Sequence, residues 1–257
     1  MKVAAALVTT WIFLTVVTGL SVGFSWLTAL SCLLTVGVLL AAMQAVEARG
    51  WALVWVLFAL YGGIGTVNIE IEAVVFQILS VTTSLHMLGT GLAVAFAVCL
   101  LMVYMAGRIR SQGSAEGRTP AHRLADNWQL RVPMAAFCYV VLYFAAGITI
   151  FPYVRHFYAG RPIPSGGVVI LTQFVRGLVY AAVMLPFTRW MSGQRWRAGW
   201  MLGLCLSVLG GIAPLLPPNE YLPADLRLVH AVEIGVSNFL FGVITALLLV
   251  RRKEPTA

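Results

Sequence analysis

Eight runs of about twenty apolar residues, separated by short polar breaks, leave this chain few ways to fold. A hydrocarbon layer about 30 Å thick takes about 20 helical residues to cross. Scanned at that length, the sequence predicts spans near residues 3–23, 25–46, 51–67, 84–107, 132–153, 167–188, 198–217 and 228–250. No water inside a bilayer satisfies open backbone N–H and C=O groups, so each span has to be a helix. A membrane β-barrel would show short alternating segments instead of continuous runs, and is excluded. The expected fold is all-α, a polytopic transmembrane helix bundle of eight spans. Residues 68–83 are the one ambiguous stretch, too polar for a plain span and too apolar for a free loop. They fit a helix extension, an interfacial segment or a re-entrant piece.

Composition agrees with this reading. Of 257 residues, 60% are hydrophobic and 10% charged, whereas a soluble domain carries about a quarter charged residues. So few charges cannot coat a soluble enzyme, a secreted scaffold or a coiled coil. A net charge of +8 would suggest nucleic acid in a soluble protein. Here basic residues gather in loops that hold orientation, and no nucleic-acid partner is expected. Cys32, Cys99, Cys138 and Cys205 lie in separate apolar runs without a CxxC, as small buried hydrophobes do. Lys2 and the apolar run after it look like a signal peptide. The run is too long and lacks a clear cleavage site, so a retained first helix is expected.

Counting basic residues by side gives the orientation. With the N-terminus inside, the inner face holds Lys2, Arg49, Arg108, Arg110, Arg118, Arg123, Arg131, Arg189, Arg195, Arg197, Arg251, Arg252 and Lys253. The outer face holds only Arg155, Arg161 and Arg227. This bias predicts an inner (plasma) membrane protein with both termini cytoplasmic. A basic, Gly- and Ser-bearing linker at 108–131 divides the chain into membrane halves 1–107 and 132–257, four spans each. The lipid bilayer is the expected partner, and the linker is a candidate contact for another protein. Between the halves Leu60-Tyr61 faintly echoes Leu142-Tyr143, on spans that are not equivalent.

Charged groups inside the spans carry the functional signal. An ionisable side chain in hydrocarbon costs about 2.5–3.5 kcal/mol on an insertion scale, so each needs a partner or a purpose. Arg176 lies near the middle of the sixth span and Glu233 about six residues into the eighth. Glu70 and Glu72 sit at the end of the third. Of these two, Glu72 is expected to face the bundle, because Ile69, Ala73 and Phe76 flank it. His86 and His230 fall at the same outer depth. Glu72, His86, Arg176, His230 and Glu233 are therefore the candidate substrate- or ion-binding residues, with Glu70, Ser237 and Asn238 secondary.

His230, Glu233 and Ser237 share one helix face at spacings of three and four. Such a pair can share a proton, bind an ion or simply hydrogen-bond. Arg176 keeps its charge at any relevant pH, so it can clamp an anion or pair with Glu72 or Glu233 but cannot titrate. Asn68 and Asn238 fit inter-helix hydrogen bonds. Gly203, Ser207 and Gly210, like Gly177 with Ala181, fit close helix packing. The chain has no HExxH and no second metal-ligand pair, so no metal site is expected, and no cofactor can be named.

Three functions fit these residues. One is a small-solute or proton/ion-coupled transporter using the outer carboxylates, with Arg176 as a fixed charge. Another is a membrane-embedded enzyme acting on a lipid-linked or periplasmic substrate, with Glu233 or Glu72 as base and His230 or His86 as acid. The last is a non-catalytic membrane subunit or assembly factor whose ion pairs are structural.

Overall fold

The structure is a computed structural model, and it describes residues 1–109, 124–159, 163–191, 194–219 and 221–251. Eight helices are long and apolar enough to cross a membrane. They are α1 (Lys2–Val22), α2 (Trp26–Ala45), α3 (Gly50–Val75), α4 (Val81–Met105), α5 (Trp128–Tyr158), α6 (Gly166–Trp190), α7 (Arg195–Leu215) and α8 (Ala224–Leu249). Most of the segment at 68–83 resolves as helix: α3 continues through a π-turn at Gly63–Val67 and runs on to Val75. Helix α5 starts before the predicted span and extends past it, so Arg155 and His156 ride on its last turn instead of a loop. The linker expected to meet a partner lies mostly at residues 110–123, outside the described residues.

Residues 2 and 249 lie toward one end of the bundle, here called the basic end. There Ala125 donates its N–H to the Leu249 carbonyl at 2.8 Å, and Gly50 donates to Arg108 at 3.0 Å. The Arg108 guanidinium also ties down the carbonyls of Met43, Val46 and Ala48. At the far end, serines cap three helices. Ser25, Ser80 and Ser165 each accept the backbone N–H three residues on, which satisfies a donor left open at a helix start.

Packing follows a repeated plan. Helix α1 packs on α2 and α4, and α3 on α4; correspondingly, α5 packs on α6 and α8, and α7 on α8. Between the groups, α3 meets α6 and α2 meets α7. Helices α2, α3, α6 and α7 are the most buried, and α1, α4 and α5 the least. The correspondence has a register. Val46 forms a β-bridge with Met191, 145 positions away (46 to 191). The same shift carries the π-turn Gly63–Val67 onto a second π-turn, Val208–Ile212.

It also relates two hydrogen bonds just beyond those turns. Ser31 Oγ donates to the Ala213 carbonyl at 2.6 Å, and Arg176 Nε to the Asn68 carbonyl at 3.2 Å. The two turns face each other reciprocally: a Cβ on Gly65 would lie 3.2 Å from the Leu209 carbonyl oxygen, and one on Gly210 would lie 3.0 Å from Ile64. Reciprocal contact of this kind is what a two-fold arrangement produces. The sequence trace of it is slight, Trp51, Trp55 and Leu57 matching Trp196, Trp200 and Leu202.

Small residues let the helices approach. A Cβ on Gly242 would lie 2.5 Å from the Gly203 nitrogen, where α7 and α8 meet backbone to backbone, and one on Gly177 would lie 2.8 Å from the Ala136 Cα. Replacing Gly177 by Val should therefore cost about 1–3 kcal/mol through overpacking of α5 on α6, read as a fall in melting temperature of the purified protein. Gly37→Ala, where an added Cβ meets nothing within 4 Å, should leave that temperature unchanged or raise it. The opposite order would contradict the packing described.

Candidate functional site

One cavity of about 260 Å³ sinks into the bundle from the far end, between α3, α5, α6, α7 and α8. Its mouth carries Ile163, Leu222 and Tyr221, and its depth is marked by Arg176, Tyr139, Asn238 and Gly210. Arg176 lies ten residues into α6, about 15 Å along its axis at 1.5 Å per residue, close to the middle of a 30 Å core. Glu233 lies nine residues into α8, because that helix begins at Ala224, before the predicted span.

Arg176 is 5% exposed and closely held. Its Nη1 is 2.8 Å from Glu72 Oε2 and donates to Gln173 Oε1 at 2.7 Å. Its Nε holds the Asn68 carbonyl, and Cζ stands 5.6 Å from the centre of the Tyr139 ring. Gln173 Nε2 also donates to Glu72 Oε1 at 3.4 Å. The guanidinium thus joins α6 to α3 both by charge and by a backbone carbonyl just past the π-turn. A π-turn sets helical hydrogen bonds out of step and is a frequent mark of functional positions. Of the two partners weighed for Arg176, the pairing is with Glu72.

The second charged group stands on α8. His230 Nδ1 lies 3.1 Å from Glu233 Oε2, and both side chains are nearly buried on the cavity wall. His230 Nε2 has no hydrogen-bond partner among the described residues. Ser237 lines the same wall and donates to the Ile234 carbonyl, while Asn238 reaches across to the Leu206 carbonyl at 3.3 Å. Asn68 differs from its expected role. Its side chain bonds back to Gly63 within α3, and its carbonyl makes the inter-helix bond with Arg176.

Glu72, Arg176, His230, Glu233, Ser237 and Asn238 are thus gathered around one cavity. His86 is not: it is exposed on α4 and absent from the lining. Glu70 is also outside the lining, yet it is 6% exposed, so both carboxylates of the pair turn inward, on different sides of α3. Tyr221 explains how this is tolerated. Its hydroxyl donates to Glu70 Oε1 at 2.5 Å, while Glu70 Oε2 has no partner among the described residues. From sequence Tyr221 belongs to the interfacial aromatic belt; in the fold it binds a buried carboxylate and lines the cavity mouth.

Tyr139, Tyr143 and Gln173 were not singled out in the sequence. Gln173 could have been, since it lies three residues from Arg176 and therefore on its face. The tyrosines sit four apart on α5, where they pass for ordinary apolar positions. Among the described residues no group of three His, Cys, Asp or Glu side chains is placed to hold a metal ion. Compared with known protein families, curated proteins and solved structures, the chain matches none.

Removing the Tyr221 hydroxyl (Tyr221→Phe) leaves Glu70 buried with one donor fewer. The cost should be about 1–3 kcal/mol, measured as a lower melting temperature, and Glu70→Gln in the same chain should recover part of it. A Tyr221→Phe protein as stable as wild type would show that Glu70 takes no support from that bond.

Proposed function

We propose that this chain is a small-solute transporter, coupled to protons or another ion, whose binding site is the cavity between α3, α5, α6, α7 and α8. The observation that carries the proposal is the coincidence of two features at mid-membrane. Paired charged groups line a cavity that opens at the far end of the bundle, and two facing π-turns form the contact between matched helix groups beside it. Transporters are commonly built as repeats whose broken helices frame a midplane site, and they work by moving one repeat against the other. Here the repeats are residues 1–107 and 132–257, parallel and related by an axis along the membrane normal. With the basic loops cytoplasmic by the positive-inside rule, the cavity faces outward and the Val46–Met191 bridge closes the cytoplasmic side.

Within this scheme each side chain has a role. Arg176 is a fixed charge that sets the α3–α6 contact and pairs with Glu72 beside it. Glu233 and His230 form the exchangeable pair: while Glu233 is charged, His230 donates to it, and a proton arriving at either group weakens their hold on a bound cation. The His230–Glu233 hydrogen bond also favours a second reading, a membrane-embedded enzyme in which the carboxylate orients the imidazole as general base.

Vesicles containing the purified protein and a trapped pH dye separate these readings when offered panels of small amines, amino acids and sugars. The transport proposal expects at least one solute to drive a saturable flux that Glu233→Gln lowers ten-fold or more while the variant still inserts and elutes as wild type. Wild-type flux in Glu233→Gln would remove that carboxylate from the site. Conversion of a solute to a new compound without net movement would replace transport by catalysis.

A further inference from the structure

The cavity has a side door. Between α5 and α8 runs a groove lined by Leu142, Ala145, Ile150, Val232, Val236 and Leu240, among other residues. Its outer rim belongs to the lipid-facing surface, with Val232 61% and Val236 57% exposed. Glu233 and Ser237 line both the groove and the cavity, as do Leu142 and Ile150. A carboxylate therefore stands where an apolar slot open to the bilayer meets a polar chamber. An unpaired carboxylate is among the most expensive groups to leave there.

Charge decides what that junction fits. Arg176 and Glu72 cancel at 2.8 Å, and the guanidinium is already engaged by Gln173 and the Asn68 carbonyl. An anion there would compete with Glu72, whose charge already cancels that of the guanidinium. The remaining charged group on the wall is Glu233, whose one hydrogen-bonding neighbour among the described residues is His230. With His230 neutral the lining sums to one negative charge; with His230 protonated it sums to zero. The other polar groups on the wall, Tyr139, Tyr143, Tyr221, Ser237 and Asn238, are uncharged. His230, nine-tenths buried, leaves its Nε2 without a partner among the described residues. Aromatic faces beside a carboxylate suit an organic ammonium.

We infer that the ligand is an amphipathic organic cation: its ammonium sits in the cavity against Glu233, and its apolar tail lies in the α5–α8 groove, by which it reaches the site from the membrane. This rests on the transport proposal for the location of the site and goes beyond it in naming the ligand class and the route.

The test uses the full chain in lipid nanodiscs, with empty nanodiscs as the baseline. Octyltrimethylammonium is the probe, octanesulfonate the matched anion, and tetramethylammonium the headgroup alone. Saturable one-to-one binding of octyltrimethylammonium is expected, at least ten-fold tighter than either control. Glu233→Gln should weaken it ten-fold or more. Ala145→Trp, which places a bulky side chain in the groove on the lipid face, should weaken the octyl probe several-fold and leave tetramethylammonium unchanged.

Octanesulfonate binding as tightly as the cation would overturn the charge assignment. Tetramethylammonium binding as tightly as the octyl probe, or indifference to Ala145→Trp, would overturn the lateral route. No saturable binding of the octyl probe would overturn the inference entirely. Vesicle flux keeps the two proposals apart. A hydrophilic or anionic solute whose flux depends on Glu233 upholds transport and defeats the cation, whereas tight cation binding without flux of any solute does the reverse.

Discussion

A guanidinium held about 15 Å inside a membrane bundle is the constraint around which the rest of this structure is arranged. Arg176 cannot shed its charge, so the fold has to bring it a counter-charge and enough acceptors. Glu72 supplies the first, and Gln173 and the Asn68 carbonyl supply the others. Meeting those demands fixes α6 against α3 in both rotation and depth. It also places Glu72 on the cavity side of α3, which leaves Glu70 directed elsewhere and in need of Tyr221. Two unusual carboxylates, one tyrosine on a loop and the π-turn before Asn68 thus answer to a single buried cation.

The matched partner of this contact shows what the charge adds. In the other helix group, the position equivalent to Arg176 is Ser31, whose hydroxyl makes the corresponding bond to the Ala213 carbonyl. A small neutral donor is therefore enough to join a span to the carbonyl beyond a π-turn. The arginine does the same and adds a charge that lines the cavity. The two helix groups share an architecture and differ in the chemistry at this position.

The number of spans and the helical class were legible in the sequence, because a 20-residue apolar run has one stable solution in lipid. The expected roles of Gly177, Gly203 and Gly210 as packing residues follow the same physics and match the tight approaches observed. What could not be read was direction around each helix. His86 shares a depth with His230 yet faces away from the cavity, and depth alone does not say which way a side chain points. Tyr221 was hidden for a similar reason, since an aromatic residue at a span end looks alike whether it meets lipid headgroups or a buried carboxylate. The internal correspondence escaped because it survives as hydrogen bonds from dissimilar side chains, Ser31 and Arg176, while the residues that do match are few.

The central claim is that Arg176 and Glu72 are held as a pair against the membrane, and a double-mutant cycle on thermal stability tests it most directly. Breaking a buried ion pair by removing one partner costs about 3–5 kcal/mol, because the other charge is stranded. Arg176→Met and Glu72→Gln alone should each lower the melting temperature and the yield of folded protein. The double variant, with no charge left to strand, should recover most of both. Losses that simply add in the double variant, or single variants as stable as wild type, would contradict the pairing.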